Sequence, residues 1–168
     1  LKRPMLYFQQ RKFSPMAFTD FTLEDLQEKF GIENRVDKLF EKVLILEPSE
    51  WLHQTLHKSR NIPLKTEKAK SEAIVFPILL DIRDRFDEFL TIYSGEFFNG
   101  DKARGLYGEC DFFLGKNLKT FTLTAPLISI IEAKKQDMES GINQCSAQLV
   151  GLKLFNEKHH QPINPLYG

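Results

Sequence analysis

The feature that most constrains this chain is the short run Leu127-Ile-Ser-Ile-Ile131, which follows Pro126 and breaks off into Glu132-Ala133-Lys134-Lys135. A run of this length is too short for a helix and fits a strand buried on both faces. Pro126 holds the residue before it in extended backbone at the strand's entry. Read as a strand over Leu127 to Lys134, it sets Glu132 and Lys134 on one face and Ala133 on the other. Charges at the end of such a strand sit where open sheets bind ligands. A strand that merely reaches solvent ends the same way, so the rest of the chain must supply partners for these charges.

One partner lies upstream. The stretch from about Arg104 to Leu114 reads as a strand, with Tyr107, Glu109 and Asp111 on one face and Gly108, Cys110 and Phe112 on the other. If the two strands are neighbours, Asp111, Glu132 and Lys134 converge. Two carboxylates with a backbone oxygen, here that of Ala133, suit Mg2+ or Mn2+, which take hard oxygen ligands and keep several waters. A second partner lies downstream. Residues 137–155 read as a helix with Ile142, Cys145, Leu149 and Leu152 on one stripe and Gln144 and Gln148 four apart on one face. Gly141 and Gly151 lower its propensity, and their expected use is close approach to the sheet or a ligand. The two glutamines are candidates for positioning substrate or water.

Asp111, the Glu132-Ala133-Lys134 triplet and the following Gln-Cys-Ser-Ala-Gln helix together resemble the PD-(D/E)xK nuclease superfamily, in an uncharacterised branch of it. The resemblance covers about residues 66 to 155. It implies an α/β, restriction-endonuclease-like fold: a central mixed sheet flanked by helices, with extra N-terminal helices. It also implies divalent-metal-dependent hydrolysis of phosphodiester bonds in nucleic acid, DNA before RNA. Asp111 matches the superfamily's aspartate, and Glu132 and Lys134 match its (D/E)xK pair. Gln144 and Gln148 match glutamines that follow it, and Glu72 is the candidate for an acid on the first core helix. Cys110 stands where the superfamily usually has proline. The resemblance makes Asp111 and Glu132 the Mg2+ or Mn2+ ligands, with the Ala133 carbonyl and, as a further candidate, Glu72. Lys134, beside two carboxylates, takes an electrostatic role, and the general base is unassigned. Lys102, Arg104, Lys116, Lys119 and Lys135 are candidates for backbone phosphate contacts, which position substrate without reading sequence. Homodimers are common among nucleases of this fold, so a homodimer is a further expectation. The alternative is a catalytically silent module of the same fold that binds nucleic acid or a protein.

The 168 residues fit one domain, with residues 1–65 a helical elaboration and 66–168 the nuclease-like core. Acidic and basic residues balance at 23 each, so no overall basic charge draws nucleic acid and any phosphate-binding face must be local. Fifteen phenylalanines imply a well-filled core or an interface. Cys110 and Cys145 fit buried free thiols in a reducing compartment. With no long apolar run and no leader pattern, the expected setting is cytoplasmic.

In chain order, residues 1–20 read as an arm over the core, with Lys2, Arg3, Arg11 and Lys12 able to touch phosphate. Thr22 and Asp25 fit a capping box opening a helix that ends before Gly31. Pro48 reads as the first turn of a helix on which Trp51 and Leu52 face the core and His53 and His57 share a surface. Thr66 caps a long helix that Pro77 should kink or split. A strand over residues 89–98 is expected to turn at Asn99-Gly100-Asp101. Leu118 to Leu123 reads as a short strand or crossover. His159-His160 fit a surface tail. Folds of the resembled class place another strand after the last helix. Tyr167-Gly168 would start or precede it, as in a fragment or a truncated core.

Overall fold

The structure, a computed structural model, describes residues 16–38, 40–43, 45–86, 89–116, 120–134 and 137–168. Lys2, Arg3, Arg11, Lys12, Lys119 and Lys135 fall outside the described residues, as does part of the expected 118–123 element. The described residues form an α/β arrangement around an antiparallel sheet in the order β1-β2-β3: β1 Thr91–Asp101, β2 Leu106–Gly115 and β3 Leu127–Ile131. The helices are α1 Leu23–Phe30, α2 Glu50–Ser59, α3 Glu67–Lys70, α4 Phe76–Arg85 and α5 Met138–Lys158.

β1 runs past the expected turn. Asn99, Gly100 and Asp101 belong to the strand, and the reversal falls on Lys102–Arg104, where the Asp101 carboxylate accepts from the Arg104 backbone N–H at 3.1 Å. Gly100 is not a turn residue because its missing side chain serves packing. A Cβ there would lie 2.5 Å from Gly151 Cα, so the two glycines let α5 lie directly on β1.

The β1–β2 ladder pairs Ser94 with Phe112 and Glu96 with Cys110 but skips the pair between them, Gly95 and Asp111. Gly95 has φ 64°, a left-handed conformation that glycine adopts without a Cβ penalty. Alternation breaks at this point. Cys110 and Phe113 both join the core that includes Ala147, Val150 and Leu152 of α5, while Phe112 stacks on Phe76 of α4 at 5.9 Å. The expectation that Cys110 and Phe112 share a face is therefore corrected. Because Phe112 and Phe113 are successive strand residues, α4 and α5 cover opposite faces of the sheet there.

β3 stops at Ile131, so Glu132, Ala133 and Lys134 lie just beyond the strand rather than within it. Its start is fixed by the buried Asn156 side chain of α5, which accepts from Leu127 N at 2.9 Å and donates to Leu127 O at 2.7 Å. After α5 the chain returns to the free edge of β3. Ile130 N donates to Tyr167 O at 3.0 Å and Tyr167 N to Ile128 O at 3.2 Å, an isolated parallel bridge between Tyr167 and Ser129. A parallel neighbour needs a crossover, and α5 is that crossover.

The N-terminal helices follow their caps. The Thr22–Asp25 box opens α1. Ser49 caps α2, with its hydroxyl accepting from Leu52 N, so Pro48 stands one residue before the cap and not in the first turn. Leu52 is buried, but Trp51 is half exposed, which corrects its expected core position. From Glu67 to Arg85 the chain stays helical through a π turn at Ser71–Val75. Pro77 cannot donate to Ala73 O, its usual acceptor four residues back. Ser59 Oγ of α2 lies 2.9 Å from that oxygen and 3.0 Å from Thr55 O, with one proton to share. Pro77 is accommodated, and the helix widens rather than breaks. Among the described residues no helix is long and apolar enough to cross a membrane.

Candidate functional site

The skipped pair at Gly95 leaves Asp111 where β2 loses its regular partner on one side and β3 ends on the other. Its carboxylate takes over from the ladder, accepting from Ala133 N at 2.7 Å. Glu132 returns the arrangement more loosely, with Oε1 3.4 Å from Asp111 N. Glu132 Oε1 also accepts from Gln148 Nε2 at 2.5 Å, and Oε2 lies 3.6 Å from Lys134 Nζ. Lys134 Nζ in turn donates to Gln144 Oε1 at 2.8 Å. Five of the six residues singled out from sequence as catalytic candidates thus form one connected cluster: Asp111, Glu132, Lys134, Gln144 and Gln148.

α5 holds this cluster because one turn of helix sets Gln144 and Gln148 side by side, both buried. Gly141 makes the approach close enough. A Cβ on it would lie 2.9 Å from Lys134 Cγ, so the lysine stem crosses the helix where no side chain stands.

The Glu132 side chain is only 6% exposed. Its pKa is raised, by burial first and by the nearby Asp111 charge, against the lowering effects of the Gln148 hydrogen bond and the Lys134 charge. Gln148 is fully buried, and its Oε1 is a buried polar atom without a partner. A buried unpaired acceptor costs about 1–3 kcal/mol, which a bound donor, water or cation would relieve. Two carboxylates against one ammonium, with a spare amide oxygen, fit a hard cation. Among the described residues no three His, Cys, Asp or Glu side chains gather to hold a metal. A cation here would rest on Asp111, Glu132, a backbone oxygen such as that of Ala133, and water.

Glu72 does not join the cluster. It sits in the π turn, exposed, 3.9 Å from Lys68 one turn earlier. Arg104 is engaged in the fold, paired with Asp101 at 2.6 Å and lying over the Phe30 ring at 5.2 Å. Lys102 Nζ lies 5.6 Å from the Tyr107 ring centre, and Lys116 is exposed at the end of β2. His53 and His57 are exposed on α2 beside Gln54 and Lys58. Both cysteines are free, but Cys145 is only partly buried, against expectation, and burial pushes its thiol up to about 11.

A cleft of about 340 Å3 opens beside the cluster, lined by Glu132 and Lys134, by Met138, Ile142, Cys145 and Leu149 of α5, and by Gly168, which lies against Cys145 and Leu149. A larger cavity of about 740 Å3 lies between α5 and residues 162–166. Its charged residues form exposed pairs, Lys153 with Glu157 at 3.0 Å and Glu33 with Arg35. The smaller cleft is the one that reaches the cluster, through Glu132 and Lys134.

Sequence reasoning missed Gly95, Asn156 and Ser59. Only Gly95 carried a signal, as a glycine inside a strand pattern. No family model, curated protein or solved structure matches the chain. Its functional class rests on its own residues.

Proposed function

We propose that this chain is a divalent-metal-dependent nuclease of the PD-(D/E)xK superfamily that hydrolyses the phosphodiester backbone of nucleic acid, DNA first. The observation that carries the proposal is the single cluster of Asp111, Glu132, Lys134, Gln144 and Gln148, with a partnerless buried oxygen inside it. Support also comes from the element order: helix, three antiparallel strands, helix, then a parallel bridge on the free edge of β3.

Asp111 and Glu132, with the Ala133 carbonyl, would hold Mg2+ or Mn2+. When bound, such an ion makes water a better nucleophile and offsets charge on the phosphate. Lys134 supplies a fixed positive charge toward the phosphate as negative charge builds in the transition state. Gln144 fixes the direction of that ammonium, and Gln148 fixes one oxygen of Glu132. Lys102 and Lys116 are the described lysines of the earlier set left to meet backbone phosphates.

The test is cleavage of single- and double-stranded DNA and RNA with Mg2+, Mn2+ or EDTA. The parent is expected to cut at least one substrate only with metal. Asp111→Ala should lose on the order of a hundredfold or more in rate while its melting curve remains cooperative. A full-length protein that cuts none of these substrates would leave the silent binding module as the reading.

A further inference from the structure

We propose that Phe121, in the connection between β2 and β3, is a contact for single-stranded nucleic acid on which an unpaired base stacks. The choice of nucleic acid as partner rests on the nuclease reading; the contact itself is separate from the metal site. Phe121 is as exposed as in an extended chain, at 108%, so its ring packs on no other described residue. Its backbone is nevertheless held. Thr120 Oγ1 donates to Thr122 O at 2.7 Å, closing the chain around Phe121, and Thr124 Oγ1 donates to the same oxygen at 2.8 Å. The hydroxyl of Tyr93, a buried core residue, lies 2.9 Å from Thr120 Oγ1. Since the Thr120 proton goes to Thr122 O, Tyr93 is the donor. Hydrogen bonds rooted in the core thus fix the residues on both sides of a ring that gains no burial within the fold.

The local charge fits a polyanion. Residues 112–131 contain Lys116 and Lys119 and no acid, in a chain whose charges balance as a whole. Lys116 is exposed where β2 ends, and its N–H donates to Pro126 O at 2.9 Å, which closes the base of the connection. Asn156 ties α5 to Leu127 at this end of the sheet, and Lys158 is exposed two residues further on. Single strands are held by this combination: base faces stack on an aromatic ring whatever their sequence, while ammonium groups meet the phosphates. A membrane surface is the poorer occupant, because one phenyl ring among threonines buries little apolar area and stable attachment takes more than one such anchor. β3, five residues long, separates this contact from Glu132 by about 17 Å of strand, near enough for one single strand to reach both.

The experiment follows binding of a single-stranded oligonucleotide carrying 2-aminopurine, in EDTA, where cleavage is absent. The proteins are the parent, Phe121→Ala, Phe121→Trp and Lys116→Ala. Phe121→Ala should keep the parent's melting temperature, because the ring packs on nothing. It should weaken binding about tenfold and lose the 2-aminopurine quenching, and Phe121→Trp should restore both. Lys116→Ala should lower the slope of log K against log salt by about 0.7, the share of one phosphate on a single strand. These results support the contact even if no substrate is ever cut, which would remove only the nuclease reading. Unchanged binding by Phe121→Ala, beside metal-dependent cleavage by the parent, overturns the inference and leaves the nuclease reading standing. A parent that binds no oligonucleotide, or that binds phosphatidylserine vesicles instead and loses them in Phe121→Ala, overturns it as well. So does a clearly lower melting temperature of Phe121→Ala, which would mean that the ring is packed.

Discussion

At Gly141 the absence of one carbon sets the position of the charged group in the site. Alanine is favoured over glycine by about 1 kcal/mol inside a helix, but freeing the buried Gln144 oxygen costs about 1–3 kcal/mol, so Gly141→Ala should leave the melting temperature near or below that of the parent. Its Cβ would meet Lys134 Cγ at 2.9 Å and push the ammonium off Gln144. Turnover is predicted to fall about tenfold, the rate equivalent of ~1.4 kcal/mol. A variant that is both more stable and fully active would show that the lysine's path is immaterial. Glu132 gives a second outcome at this scale. Its folded pKa stands above the ordinary 4.5. Between those two values the folded chain keeps a proton that the unfolded chain has released, so folding weakens as pH rises through that window and levels off beyond it. Urea unfolding of the parent minus that of Glu132→Gln, in EDTA, should show this decline starting near pH 4.5; a flat difference would contradict it.

At the level of elements, the site depends on where segments stop. β3 stops one residue before Glu132, and the ladder opens at Gly95, so the Asp111 carboxylate can reach the Ala133 N–H in place of a strand. The sequence made the two strands, the helix and their order readable, because apolar runs and helical spacing are local. It also made Asp111, Glu132, Lys134 and the two glutamines readable as a group. It did not reveal the break in alternation, because a left-handed glycine in one strand acts on the facing residue of another. Glu72, proposed from the resemblance alone, lies exposed in the π turn ahead of Pro77 and faces Lys68. Ser59 tests how that turn is held. Ser59→Ala leaves the Ala73 carbonyl with neither Pro77 nor a hydroxyl to meet it, and should cost about 1–3 kcal/mol in urea unfolding. A loss near zero would mean that the π turn alone satisfies the helix.

Over the whole molecule, α5 is the common member. It lies on β1 through Gly100 and Gly151, ties the start of β3 through Asn156, carries both glutamines and forms the wall of the cleft. Core and site therefore share one element, and filling the site should stabilise the fold as a unit. A ligand at a hundred times its Kd adds about 2.7 kcal/mol, so millimolar Mn2+ should raise the melting temperature of the parent and not that of Asp111→Asn. The balanced charge of the chain gives no comparable signal for nucleic acid, since the described lysines left for phosphate, Lys102 and Lys116, are few and local.

The most direct measurement is a calorimetric titration of Mn2+ into the parent and into Asp111→Asn, with both proteins shown to be folded. The account predicts saturable binding of at least one ion by the parent, weakened tenfold or more in the variant. A parent that takes up no Mn2+, or a variant that binds it as tightly, would contradict the claim that Asp111 and Glu132 share a metal ion.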